Sequence, residues 1–181
     1  MVQPEYRKVK GRSTLIYFYY KQSLNHFDNF WNVFLIFSPF CKVVPYKVLT
    51  KLNGKIYPAI SFRTRSLSVF TLFHNMFYVN GKKIIPKDLY QYLDAVALAY
   101  WIVDNGTFKS KGGFELCTDS FTLKEVIYLI NILIYFFELK CTLQTKRPGQ
   151  YRIYISKKSK DSLRKIVAPQ LTKSMLYKIH L

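Results

Sequence analysis

The chain has 181 residues, 50% of them hydrophobic, and a formal net charge of +18, so it can bury a core and needs a polyanion to screen its self-repulsion. Nucleic acid is the partner this balance favours, over an anionic membrane surface or a merely basic soluble protein. The most apolar run, residues 126–137, is shorter than the roughly 20 residues a bilayer crossing needs, and residues 1–10 lack the apolar stretch of a secretory signal.

Residues 1–12 read as a basic extension. Residues 14–21 are rich in β-formers, and residues 24–37 carry Phe27, Phe30, Trp31, Phe34 and Phe37 at helical spacing. Two strands, 43–51 and 55–65, then flank Asn53-Gly54, a pair that tolerates the positive φ of a tight hairpin turn. Residues 67–78 return to helical spacing, so the first half reads β-α-β-β-α. A packing helix over residues 95–105 follows, rich in Ala95, Ala97 and Ala99, which let another helix approach closely; Gly106 permits a turn directly after it.

The pattern then recurs: a strand over 113–119, a helix over 122–138 opened by the capping pair Thr122 and Glu125, a hairpin of 140–147 and 150–156 about Pro148-Gly149, and a helix over 159–167. The repetition points to an internal duplication, with half-repeats at 13–92 and 93–181. Strand alternation assigns a ligand face to each hairpin. In the second, Lys140, Thr142, Gln144, Lys146, Arg152 and Tyr154 alternate with apolar residues, and Arg147, Lys157 and Lys158 extend that face. In the first, Ser61, Arg63 and Arg65 oppose Ile60 and Phe62, with Lys47 and Lys51 on the partner strand. Two such ribbons make a basic sheet that can enter a major groove.

Other chemistry finds little support. Cys41, Cys117 and Cys141 are far apart and read as reduced core residues, and His26, His74 and His180 are isolated from any metal-ligand spacing. Asp119, just before the capped helix, reads as a turn-supporting residue. The bias towards Lys, Phe, Tyr, Ile and Asn is that of A+T-rich coding and points to an organellar gene.

The run Leu98-Ala99-Tyr100-Trp101-Ile102-Val103-Asp104-Asn105-Gly106 resembles the second signature motif of the LAGLIDADG homing endonucleases of organellar introns. Asn80 to Pro86, Leu116 to Ser120, Tyr151 to Ile155 and Ser174 to Lys178 also resemble recurring segments of that family, and the likeness runs from about Gly11 to the end. It implies an α+β fold of two αββαββα halves with antiparallel saddle sheets. It also implies, in active members, an acidic residue at the foot of each motif helix holding a divalent metal, so that water attacks both strands.

Against that pattern, Asn105 occupies the metal-binding position and brings no negative charge; Asp104 beside it is the remaining candidate ligand. The first motif helix is expected to be missing, which leaves the apolar face of the second, with Ala95, Leu98, Ala99 and Ile102, to pack on a second chain or another partner. The expectation is therefore a cleavage-incompetent, metal-independent nucleic-acid binder of the mitochondrial matrix or another organelle, acting on structured RNA as a maturase or ribosomal component. RNA is favoured over DNA because exposed aromatics such as Tyr154 can stack on unpaired bases. The alternative is an active or partner-complemented, magnesium-dependent DNA endonuclease.

Overall fold

In the computed structural model, which describes residues 15–110 and 112–180, the chain divides into two units: Met1–Met76 with Thr172–Ser174, and Phe77–Leu171 with Met175–Leu181. The basic extension at 1–12 lies outside the described residues.

In the first unit, β1 (Tyr19–Ser23) leads into α1 (Phe27–Phe37), the hairpin of β2 (Tyr46–Leu52) and β3 (Lys55–Arg63), and α2 (Ser68–Phe77). Asn53 and Gly54 turn the hairpin at φ of 49° and 77°, the left-handed conformation these residues reach at least cost. The β-rich run upstream pairs only from Tyr19, because the Phe18 amide donates instead to Thr64 Oγ1 at 2.9 Å and that of Ile16 to Thr71 Oγ1 at 3.2 Å. The three strands lie in the order β1-β3-β2, all antiparallel. Their core is aromatic. Phe62 is fully buried, with the rings of Phe18, Tyr20, Phe30, Phe34 and Phe37 at 5.4–6.1 Å, offset and edge-on contacts that add to area burial. Beside them the buried Asn29 amide donates to Tyr20 Oη at 3.2 Å and Gln22 Oε1 at 2.9 Å. At the start of α1, Asp28 accepts from both the backbone and the hydroxyl of Ser174. Burial alone would raise the Asp28 carboxyl; the Ser174 hydrogen bonds hold it below its ordinary range.

The second unit opens with a short hairpin, β4 (Tyr78–Val79) and β5 (Lys82–Lys83), and then α3 (Ala95–Asn105) runs directly into β6 (Gly106–Phe108). β7 (Phe114–Cys117), α4 (Leu123–Phe137), β8 (Cys141–Arg147), β9 (Gln150–Ile155) and α5 (Lys160–Val167) follow, with a 3-10 segment at Lys173–Ile179. The antiparallel sheet has the order β6-β7-β9-β8. Apart from β6, this repeats the first unit: first strand, third, second, with a helix after the first strand and another after the third. The fold is the α+β class expected from sequence. The half-repeat boundary at 92/93 and the unit boundary at 76/77 differ because Phe77, Ile85 and Leu89 pack into the second core, and the Ile85 amide donates to Glu125 Oε1 at 2.9 Å. Glu125 also closes the capping box of α4, its Oε2 accepting from the Thr122 amide at 2.8 Å.

α3 sits inside this second core. Asp94 caps it, accepting from the Ala97 amide at 2.8 Å, and Leu98, Ala99 and Ile102 are fully buried in one cluster with Leu116, Val126, Leu133, Ile153, Leu163 and Val167. The expected partner face is thus corrected: Leu98, Ala99 and Ile102 are already covered by the unit's own sheet and α5, and Ala95 is half-buried. Gly106 also plays a different part from the one expected. Its φ is −86°, open to any residue, but an added Cβ would lie 2.3 Å from the Phe114 ring and 2.4 Å from the Ile102 carbonyl oxygen. Gly106→Ala is expected to lower stability by about 1–3 kcal/mol through overpacking, read as a shift in the denaturant midpoint; an unchanged midpoint would show that the helix end has room.

Candidate nucleic-acid interface

In an antiparallel sheet, residues directly across from one another point to the same side. In the second unit, Thr142, Tyr154 and Glu115 lie in one cross-strand row, and Gln144, Arg152 and Cys117 in the next. The intervening rows, Cys141-Ile155-Phe114 and Leu143-Ile153-Leu116, turn to the other side, where all but the exposed Leu143 join the core. Thr142, Gln144, Arg152 and Tyr154 therefore share the outward face, as the alternation in the sequence implies. Lys146 reaches the same face beside a register irregularity between Thr145 and Arg147. Lys140, Arg147, Lys157 and Lys158 are exposed at the strand ends and the following turn.

The middle of this face holds a carboxylate that sequence reading passed over. Glu115 is 2% exposed and pairs with Lys109 Nζ at 2.8 Å, Lys146 Nζ at 2.8 Å and Arg152 Nη1 at 2.9 Å. Arg152 also grips Asp119 with Nε at 2.8 Å and Nη2 at 2.7 Å, a bidentate geometry that fixes the plane of the guanidinium. Burial would raise the Glu115 carboxyl, but the hydrogen bonds from Lys109, Lys146 and Arg152 bring it down to about 2. Asp119 is likewise lowered, first by Arg152. Three cations and two carboxylates leave this cluster with one net positive charge. It is a rigid array of N–H donors, suited to base edges or to a few defined phosphates. Tyr154 is placed by what its neighbour lacks: a Cβ at Gly113 would stand 2.1 Å from Tyr154 Oη.

The first unit's sheet departs from expectation. Lys47 lies across from Ile60 and Lys51 across from Ile56, so both lysines share the side of Ile60, opposite Ser61 and Arg63. Sequence alternation gives two faces per strand but not which faces of neighbouring strands coincide. Ser61 is a second correction. It sits on the central strand with no exposed surface, and its hydroxyl has no hydrogen-bond partner among the described residues, so it is not a surface contact. Arg63 is exposed across from Tyr19, Lys21 is exposed across from Ser61, and Arg65 is exposed beyond the strand end, donating to the Pro39 carbonyl at 3.3 Å.

At the foot of α3, Asp104 is solvent-exposed and Asn105 half-buried. The surrounding protein density raises the Asp104 carboxyl, while the charges of Lys178 and Lys83 pull it down. Burial lowers the Lys83 ammonium and Asp104 opposes that shift. Both lysines were missed as site residues, although the Asn80 to Pro86 and Ser174 to Lys178 segments that carry them were visible in the resemblance. One carboxylate beside two ammonium groups does not by itself fit a divalent cation, which calls for several anionic or carbonyl oxygens. Among the described residues no three His, Cys, Asp or Glu side chains converge on such a site.

Residues 6–163 match the LAGLIDADG DNA endonuclease family. The chain is 35% identical over 172 residues to the cytochrome b mRNA maturase bI2 of Debaryomyces hansenii, which covers 93% of this chain and 65% of that relative. It is 36% identical over 142 residues to the intron-encoded endonuclease ai4 of Dictyostelium discoideum, covering 75% of this chain and 89% of the relative. In fold it is similar to the homing endonuclease I-WcaI bound to its DNA recognition sequence, with a TM-score of 0.83, 24% identity, and coverage of 98% of this chain and 80% of that one.

Because its carboxyl is depressed from 4.5 to about 2, Glu115 contributes stability that is fully present above about pH 4.5 and is lost as pH falls towards 2. Glu115→Gln is expected to cost about 2–3 kcal/mol at neutral pH, the lower end reflecting solvent screening of Lys109 and Lys146. The gap from wild type should close between pH 4.5 and 2 in denaturant melts. The same variant should steepen the salt dependence of nucleic-acid binding, since it unmasks cations on the face; an unchanged slope would place the ligand elsewhere.

Proposed function

The chain belongs to the LAGLIDADG DNA endonuclease family, and we propose that it uses that scaffold to hold structured RNA without cutting nucleic acid, as an intron maturase or as a component of a mitochondrial ribosome. One observation carries the reading: the foot of α3 presents Asn105 at the position where the family resemblance puts a metal-binding acid, and its remaining carboxylate, Asp104, lies in the field of Lys83 and Lys178. That arrangement attracts a phosphate better than a divalent cation. The outward face of the second unit, meanwhile, keeps its ordered donors. The mRNA maturase name of the bI2 relative supports the RNA side of the proposal.

The proposed contacts are Arg63 and Arg65 in the first unit, and Lys140, Thr142, Gln144, Lys146, Arg147, Arg152, Tyr154, Lys157 and Lys158 in the second, joined by Lys21, Lys83, Lys109 and Lys178. Binding on this reading requires no metal. Half-repeats at 13–92 and 93–181, and a location in the mitochondrial matrix, belong to the same proposal. A partner chain meeting α3 would use its exposed residues, Val96 and Asp104, rather than the buried ones.

The exposure of Asp104 and the endonuclease name of the ai4 relative favour a second reading, in which a partner supplies further acidic ligands and the assembly cuts DNA with magnesium. The two separate by purification of the protein from its native source, sequencing of the nucleic acid that accompanies it, and assay of the Asn105→Asp variant for cleavage. The expected outcome is one structured RNA and no double-strand cutting by the variant. Recovery of a DNA site alone, cut on addition of magnesium, would replace the first reading with the second.

A further inference from the structure

A guanidinium carries five N–H donors, two on each terminal nitrogen and one on Nε. In Arg152 three are used inside the protein: Nε and Nη2 donate to Asp119 at 2.8 and 2.7 Å, and Nη1 donates to Glu115 at 2.9 Å. One N–H remains on each terminal nitrogen. The side chain is 26% exposed and lies on the outward face of the sheet, so a ligand on that face has this pair of donors to meet.

Two adjacent donors call for two adjacent acceptors. The neighbouring carboxylates do not change that demand: Glu115 is 2% exposed, and each Asp119 oxygen already accepts from Arg152. Lys109 and Lys146, paired to the same Glu115, add only further donors. On the major-groove edge of the bases, guanine alone sets two acceptors side by side, N7 and O6; adenine and cytosine each bring an amino donor there, and uracil a single oxygen. A phosphate offers paired oxygens too, but it is drawn by net charge, and here two carboxylates leave three cations with a single surplus charge. The bidentate grip of Asp119 also fixes the plane of the guanidinium, which suits a flat base edge better than a tetrahedral group. Resting on the reading that this face holds RNA, we infer that Arg152 selects guanine by its N7 and O6 edge. In RNA that guanine is an unpaired one, whose Hoogsteen edge is open to the protein.

The full chain is offered two pools, RNA hairpins with a randomised loop and duplex DNA with a randomised centre. The enriched RNA loops are expected to share a guanine, and replacing it with 7-deazaguanine, which removes the N7 acceptor, should weaken binding about tenfold. Uncharged methylphosphonate linkages beside it should leave that penalty in place. Arg152→Lys keeps the charge but not the fork, so guanine and 7-deazaguanine should bind this variant alike; a merely structural Arg152 would lower both affinities and preserve their ratio. Enriched RNA loops indifferent to 7-deazaguanine, or a penalty that survives in Arg152→Lys, would overturn the inference and leave the RNA reading standing. Enrichment of duplex DNA alone would overturn the RNA reading, with the guanine contact upheld by a 7-deazaguanine penalty in that duplex and overturned by its absence.

Discussion

The second unit is organised by a lack of space at one backbone position. Where α3 gives way to β6, the Phe114 ring and the Ile102 carbonyl oxygen occupy the volume a Cβ at residue 106 would need, so helix and strand join with no intervening loop. β6 pairs with β7, and β7 carries Phe114 and Leu116 into the core and Glu115 to the outward face. The foot of the motif helix, with Asp104 and Asn105, is thereby held at a fixed relation to the donor array on the sheet. Few degrees of freedom separate the two, which is what a site reading a defined nucleic-acid geometry requires.

The two sheets share a strand order but differ in chemistry. In the second unit the outward face is a network of mutually oriented ions, in which Glu115 and Asp119 hold Arg152, Lys109 and Lys146 in place. Such charges give less long-range attraction than free lysines and more geometric definition. In the first unit the packing is aromatic, centred on Phe62, and its cations Lys21, Arg63 and Arg65 are exposed. On the proposed function, the first set would serve affinity through phosphate neutralisation and the second discrimination.

What the sequence made legible was local. Asn53-Gly54 and the Thr122–Glu125 capping box each announce one backbone geometry, and both form. The alternation from Thr142 to Tyr154 placed one outward face because one hairpin suffices to define it. The misplaced residues depend on partners distant in the chain. Lys47 and Lys51 fall on the other side because the pairing of β2 with β3, not the alternation within β2, decides their company. Glu115 looks unremarkable inside Phe-Glu-Leu-Cys until Lys109, Lys146 and Arg152 arrive from three segments. The apolar face of α3 reads as unpartnered when α5 is not in view. Lys83 and Lys178 reach Asp104 from opposite ends of the unit, a convergence that no local pattern encodes.

The contact between Asp28 and Ser174 bears on how the protein is made. The residues concerned are 146 positions apart, and Thr172–Ser174 belongs to the first unit although the chain on either side belongs to the second. During translation the first unit's strands and helices are all synthesised early, yet the start of α1 waits for its hydrogen-bonding partner until almost every other described residue has emerged from the ribosome. Domains completed early in synthesis can fold while the rest of the chain is still being made; here the amino-terminal unit is finished only when its own Thr172–Ser174 segment has been made. A product truncated before Thr172 therefore lacks the hydrogen bonds that fasten the start of α1 as well as the end of the second unit.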